Sequence, residues 1–530
     1  MKTNILQQSD PAAQTDMMHF RINLKTLFFF AFLISAGIGA SLWMFWITAH
    51  GPSISPDSVE YISVARSLFA GKCFCVCGSP QITFPPVYPA LLALGGLLTN
   101  GDIIVAAHAL AVILFGLNVF LLGLLVGKAT RYNWMYVIAA ILIFGLSAPN
   151  IEIHSYAWSD PLFITFVLAT FIFISEYLNH ARSATIIMAG LMTALAIMTR
   201  YIGIALLPPT IFVLISFDRS PSKHKLRKSI IFSGFACLPL FFWLIRNTLV
   251  AQSLTGRPLA VHWFTGRHMQ TLIDVITDFV LPVSFPENFQ KFIIAFAIVF
   301  ILAAIIFLLP FKDLRRKIPA DQKSILLMGG AFALSYIILL ILIVSFLEAS
   351  ASIQYRLLMP IWLTLFSTWI TVCFLLSQLL KKRLIRYGFI ISILVACMNP
   401  QQAFERARSI RQDGRGYTSQ AWRDSEILSY LRSIERHPRI YSNGVDAVLF
   451  QEIGCLPFPG RYSGRSLQPN PTYESQLSQM CDECNQGSAM VVYFWEHKLR
   501  DYYPSFIELD SKCELPLPRE FADAVIYVRK

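Results

Sequence analysis

The stretch SISPDSVEYISVARSLFAGK, residues 53–72, decides how the rest of the chain is read. It follows the first long apolar run, residues 24–47, and carries two carboxylates, Asp57 and Glu60, about one helical turn apart. Ser55 or Asp57 can cap a helix that starts near Ser58, where the helix dipole favours an acid. Val59, Ile62 and Leu68 share a face of that helix, and Gly71 stops it. The pattern predicts an amphipathic helix along a membrane surface, with a pair of acids at the point where the chain leaves the lipid.

The composition supports a membrane setting. Of 530 residues, 55% are hydrophobic and 14% charged. Soluble domains carry about 25% charged residues. The formal net charge is +12, but the Lys and Arg residues sit in short loops between apolar runs. That is the positive-inside bias, and nothing resembles a nucleic-acid-binding motif. The first 20 residues are polar, and no small-residue cleavage site follows the first apolar run. That run therefore reads as a retained span and not a signal peptide.

A span takes about 20 apolar residues. On that measure the sequence predicts about eleven: 24–47, 103–127, 134–149, 161–178, 185–199, 202–217, 230–250, 292–309, 325–347, 357–380 and 385–398. The loops GKATRYN, NHARS, DRSPSKHKLRK, FKDLRRK and KKRLIR are basic and all fall on one side if the spans alternate. This predicts a cytoplasmic N-terminus and an exterior C-terminal portion. The expected organisation is a transmembrane domain, residues 1–398, with a first exterior loop at 49–102, followed by an exterior domain at 399–530. In that last part SEILSYLRSIE reads as a helix, and RIYSN, AMVVYFW and AVIYVRK read as strands, a small α/β domain. A bacterial inner membrane is the expected location, with the endoplasmic reticulum as the alternative.

Two further exterior stretches echo the first. TFPPVYPALLALGGLL is a Pro-stiffened apolar helix too short to span comfortably. HSYAWSDPLF places Asp160 just before Pro161, at a helix start. Capping accounts for each acid singly. Two acids at the exterior mouths of different helices also make candidates for chemistry or for metal binding.

In order, PDSVEYISVARSLFAGK, FPPVYPALLAL, SDPLF, LMTALAIMTRYIGIALLP, WLIRNTLVAQSLTGRP and YRLLMPIWL resemble the GT-C glycosyltransferases. The branch is the one containing protein O-mannosyltransferases and the bacterial lipid A aminoarabinose transferase. The resemblance covers about residues 24–380. It implies an essential Asp in the first exterior loop, matching Asp57, and a second acid matching Asp160. It also implies transfer of a sugar from a polyprenyl-phosphate carrier to an acceptor lipid, glycan or protein outside the cytoplasm. Protein O-mannosyltransferases tend to have adjacent Asp-Glu in this loop. Here Asp57 is followed by Ser58, with Glu60 further on, which weakens protein mannosylation in particular.

Such chemistry needs a base for the acceptor hydroxyl and cations for the departing phosphate. Asp57 is the expected base, with Asp160 and Glu60 as further catalytic candidates. Asp57 and Asp160 could share Mg²⁺ or Mn²⁺ through oxygen ligands. Arg200, Arg246 and Arg356, each near an exterior helix end, are candidates for the donor phosphate. Snorkelling to lipid headgroups is the competing role for each. His154, His262, Trp263 and His268 are candidates for the acceptor cleft, Trp263 also as an interfacial anchor. Cys73, Cys75 and Cys77 lie in the first loop and Cys455, Cys481, Cys484 and Cys513 in the tail, as suits an oxidising exterior. For CDEC, a structural disulfide with Cys455 or Cys513 is expected ahead of a redox pair. A transporter is the main alternative class, and a membrane scaffold with an exterior binding domain is a third. The nearly charge-free spans and the lack of an internal repeat weigh against transport.

Overall fold

In hydrocarbon a segment must satisfy its own backbone groups, so the long apolar runs become helices. The computed structural model describes residues 24–218, 220–261, 265–280, 319–347, 353–379, 400–434, 438–463, 467–495 and 502–528. Six described helices are long and apolar enough to cross a membrane: α1 (Leu24–Ile47), α4 (Ile103–Ala129), α7 (Asp160–His180), α10 (Ser222–Ala251), and the helices Ala320–Phe346 and Tyr355–Leu379. The expected spans at 292–309 and 385–398 lie outside the described residues. The result is a polytopic helical membrane protein with a small α/β domain near its C-terminus.

Two expected spans are broken. The run at 134–149 becomes α5 (Trp134–Gly145) and α6 (Ala148–Ser155), bent by 60°. Pro149 stands at the start of α6, where its missing N–H costs nothing. The run at 202–217 opens as a 3₁₀ turn, Tyr201–Leu206, before α9 (Leu207–Phe217), and α8 (Ser183–Thr199) precedes it. These breaks bring polar backbone and side chains to one end of the bundle.

α1 and α4 cross at glycine. A Cβ on Gly116 would stand 2.4 Å from the Gly37 carbonyl oxygen. Small residues at such crossings let helix backbones approach closely in lipid.

At the loop end of the bundle lie α2 (Pro56–Phe69), α3 (Val87–Gly96) and the hairpin β1 (Cys75–Val76) with β2 (Ser79–Pro80). The apolar side of α2 is covered by protein. Val59, Tyr61, Ile62, Val64 and Ala65 are all buried, and the cluster that holds most of them includes Tyr417 and Ala447 from the C-terminal part. The chain just before α2 is bridged on both sides. Ser53 pairs with Tyr156, and Ile54 pairs with Gly416, both parallel.

The C-terminal domain has the sheet order β4-β3-β5-β7-β6, with β3 (Arg439–Ser442), β4 (Leu456–Pro457), β5 (Ala489–Phe494), β6 (Arg519–Glu520) and β7 (Ala524–Tyr527). β3 pairs parallel with β4 and β5, while β7 runs antiparallel to β5 and β6. β5 is buried throughout, as a central strand covered on both faces must be. Alternation along it sends Val491 and Tyr493 to one core and Met490, Val492 and Phe494 to another. The helix Glu426–Ser433 and strands β3, β5 and β7 fall on the segments their sequence patterns suggest.

Candidate active site

Ser55 caps α2. Its hydroxyl accepts from the Ser58 backbone N–H at 3.3 Å, and the Ser58 hydroxyl accepts from the Ser55 N–H at 3.1 Å. Ser55 thus takes the capping role. Asp57 stands in the first turn and its carboxylate pairs with Arg356, at the start of the Tyr355–Leu379 helix. The Arg356 guanidinium lies 4.9 Å from the centre of the Trp158 ring. The Trp158 indole N–H donates to the Ser55 hydroxyl at 2.6 Å, and Tyr156 stacks on the ring at 4.1 Å. One tryptophan therefore holds both the cap of the helix carrying Asp57 and the cation facing that acid.

Asp160 is the first residue of α7, and no side chain caps this helix. Asp160 instead pairs with Arg200 at 2.5 Å, its side chain 4% exposed and that of Arg200 18%. Arg200 sits in extended backbone at the break between α8 and the 3₁₀ turn, which points it inward. The two ion pairs form one cluster, because Arg356 also feels Asp160, and Arg200 feels Arg356, Tyr61 and Tyr336. The hydroxyls of Tyr61 and Ser159 are 3.1 Å apart. Burial, and then the charge of Asp57, push the Tyr61 phenol well above its ordinary range, so it stays protonated. Among the described residues, two buried polar atoms of the cluster have no hydrogen-bond partner: Asp160 Oδ2 and Arg356 Nε. An orphaned acceptor and an orphaned donor in one cluster mark where a ligand could satisfy both.

Glu60 and Arg246 belong to a second group, joined through Gln81. The Gln81 amide donates to Glu60 at 2.5 Å. Arg246 donates to the carbonyls of Gln81 at 2.9 Å and Phe74 at 3.3 Å, and stacks near Trp243 and Phe74. These bonds fix the hairpin segment against α10, so Arg246 is committed to loop carbonyls.

His154 is not at the surface. It is fully buried against Phe115 and Phe144, and its ring nitrogens face Asn118 at 3.1 Å and the Asn150 carbonyl at 2.9 Å. It is a satisfied core histidine and lines no cleft. His268 Nδ1 accepts from the Thr265 backbone N–H at 3.1 Å, closing the start of α11 (Gly266–Val280). His262 and Trp263 lie outside the described residues.

Among the described residues no three His, Cys, Asp or Glu side chains gather as metal ligands. Asp57 and Asp160 each face a guanidinium, so two negative charges already meet two positive ones. That charge balance does not fit a divalent ion shared between the acids.

Trp158, Tyr61, Ser159 and Tyr336 escape sequence reasoning. Tyr61 had a signal, standing four positions after Asp57, one helical turn away. Tyr336 is a lone phenol inside an apolar run, a position where polar groups in lipid carry meaning.

No family model and no curated protein matches this chain by sequence. Its fold does have solved counterparts. ArnT from Cupriavidus metallidurans bound to undecaprenyl phosphate is 14% identical, with a TM-score of 0.56 over 95% of this chain and 97% of that one. The apo form of the same protein gives the same values. The oligosaccharyltransferase AglB from Archaeoglobus fulgidus, with an inhibitory peptide and a dolichol-phosphate, is 12% identical with a TM-score of 0.46 over 87% of this chain. The likeness is one of fold, and it runs over nearly the whole length of the ArnT chain.

Proposed function

We propose that this chain is an integral membrane glycosyltransferase that moves a sugar from a polyprenyl-phosphate carrier to an acceptor hydroxyl on the non-cytoplasmic face. The observation that carries the reading is the neutral Asp57, Asp160, Arg200 and Arg356 cluster with its two unsatisfied buried atoms. The GT-C fold, shared with a protein bound to undecaprenyl phosphate, supports it. The disulfides Cys73–Cys75 and Cys481–Cys513, both in parts expected to be exterior, suit an oxidising compartment.

In this reading the donor phosphate takes the free Nε–H of Arg356, the planar donor best suited to phosphate oxygens. Drawing Arg356 toward the phosphate loosens its hold on Asp57 and restores that carboxylate as a base. The acceptor hydroxyl gives its proton to Asp57, and its oxygen bonds to the anomeric carbon. The bond from that carbon to the phosphate oxygen breaks, and polyprenyl phosphate leaves with the electron pair, its charge held by Arg356. Attack opposite the leaving group inverts the anomeric centre. Asp160, fixed by Arg200, offers its free Oδ2 to a second hydroxyl and orients the acceptor. The acceptor is a lipid, a glycan or a protein.

The test is sugar transfer from radiolabelled polyprenyl-phosphate sugars in membranes, comparing the native chain with Asp57→Asn. Loss of a positioned base lowers transfer by about 10²–10⁴-fold. Equal transfer by both chains would remove Asp57 from the chemistry. No transfer by the folded native chain from any donor would remove the transferase reading itself.

A further inference from the structure

Trp158 stands in the short connection between α6 and α7, and its backbone is fixed there. Its backbone N–H donates to the Tyr156 carbonyl at 2.8 Å. The residues around it are joined to the chain ahead of α2. Ser53 donates to the Ser155 carbonyl at 2.8 Å, and Ala157 donates to the Ser53 carbonyl at 3.0 Å. The indole is fixed as well. Tyr156 stacks on it with the ring planes 8° apart, and the indole N–H is taken by the Ser55 hydroxyl. With Tyr156 on one face, the other face is left to the Arg356 guanidinium, 4.9 Å from the ring centre.

Arg356 is thus held in two unlike ways. Its Nη1 donates to Asp57, whereas the ring attracts its charge without using an N–H. A contact through the face leaves the N–H groups at the edge free to change acceptor. Nε, on that edge, has no hydrogen-bond partner among the described residues. An arginine held by a carboxylate alone would lose its hold on turning to another anion, and its rotamers would have to be frozen again. One resting on a rigid ring keeps its place. We propose that Trp158 is a positioning residue of the transfer reaction: Arg356 turns on its face from Asp57 to the donor phosphate. The inference rests on the reading of Arg356 as the cation for that phosphate. Trp158 acts through Arg356 and breaks or forms no bond in the reaction.

Binding tests this on the purified full-length protein in detergent, titrated with a polyprenyl phosphate and, separately, with the parent polyprenol. Trp158→Phe keeps an aromatic face and loses the indole N–H. Trp158→Met and Trp158→Leu lose both and differ in the space they fill, so one can stand in if the other does not fold. The faceless variants should bind polyprenyl phosphate about tenfold more weakly than the native chain. Trp158→Phe should recover most of that affinity, and polyprenol should bind all the chains alike. Equal loss in the Phe variant would assign the effect to the Ser55 bond and overturn the proposal. A matching loss of polyprenol binding would do the same, because it marks a general disturbance. Native affinity in a faceless variant removes the pivot and leaves the carrier reading standing. A native chain that binds polyprenyl phosphate no better than polyprenol removes both.

Discussion

Arg200 neutralises a carboxylate that has almost no access to water. Removing one partner of such a pair leaves the other charged and buried, which costs about 3–5 kcal/mol. Arg200→Met should therefore destabilise the protein by about that amount, read as unfolding in detergent. Asp160→Asn in the same background should recover much of the loss, since it removes the stranded charge. If the double variant is no more stable than Arg200→Met, the pair is not the source of the cost. The acids themselves were legible, since each stands at a helix start beside Ser or Pro. Their partners were not. Arg356 is 299 positions from Asp57, and three arginines at similar helix ends had equal claims. Tertiary packing gives two of them to carboxylates and commits Arg246 to carbonyls. The burial of His154 was not legible either, because its partner Asn118 lies in the middle of an apolar run.

Among the helices, the α1–α4 crossing leaves little room. A side chain at Gly116 meets backbone, which cannot swing aside as a flexible side chain can. Gly116→Val should separate α1 from α4 and lower the thermal midpoint and the yield in membranes, at the upper end of the ~1–3 kcal/mol that overpacking costs. Gly39→Val, on the same helix as Gly37 but with nothing within 4 Å, should leave both unchanged. Equal behaviour of the two variants would mean that the crossing is not tight. Long apolar runs announced the helices because lipid leaves them no other conformation. The gap at Arg200 already separates the expected runs 185–199 and 202–217, but the break after Gly145 was not legible. Hydropathy averages over a window and passes through a bend whose freed backbone groups are satisfied by neighbours.

At the scale of the molecule, the C-terminal part braces the site. Ile54, three residues before Asp57, exchanges backbone hydrogen bonds with Arg415 at 3.3 Å and Tyr417 at 2.9 Å. Gly416 makes this possible with φ 60°, and a Cβ there would come within 1.8 Å of the Ile54 oxygen. Gly416→Ala should break the bridge, speeding hydrogen exchange at Tyr417 and in residues 53–57 by at least about tenfold, as for about 1.4 kcal/mol of lost protection. Gly454→Ala, with open space around it, is the control, and unchanged exchange in Gly416→Ala would dismiss the brace. The small α/β domain was visible in its strands, but its docking on α2 was not. An amphipathic helix shows the same stripe whether lipid or protein covers it.

The brace also sets a schedule. Thr418 donates to the Pro52 carbonyl across 366 positions of sequence. At the usual pace of translation, roughly 20–70 s separate the synthesis of the acid-bearing segment from that of the strand that steadies it. A nascent chain already threaded into the membrane thus holds its acids without their support. The segment gains its brace only once residues 415–418 have been made, so a product terminated before them would sit in the bilayer without it.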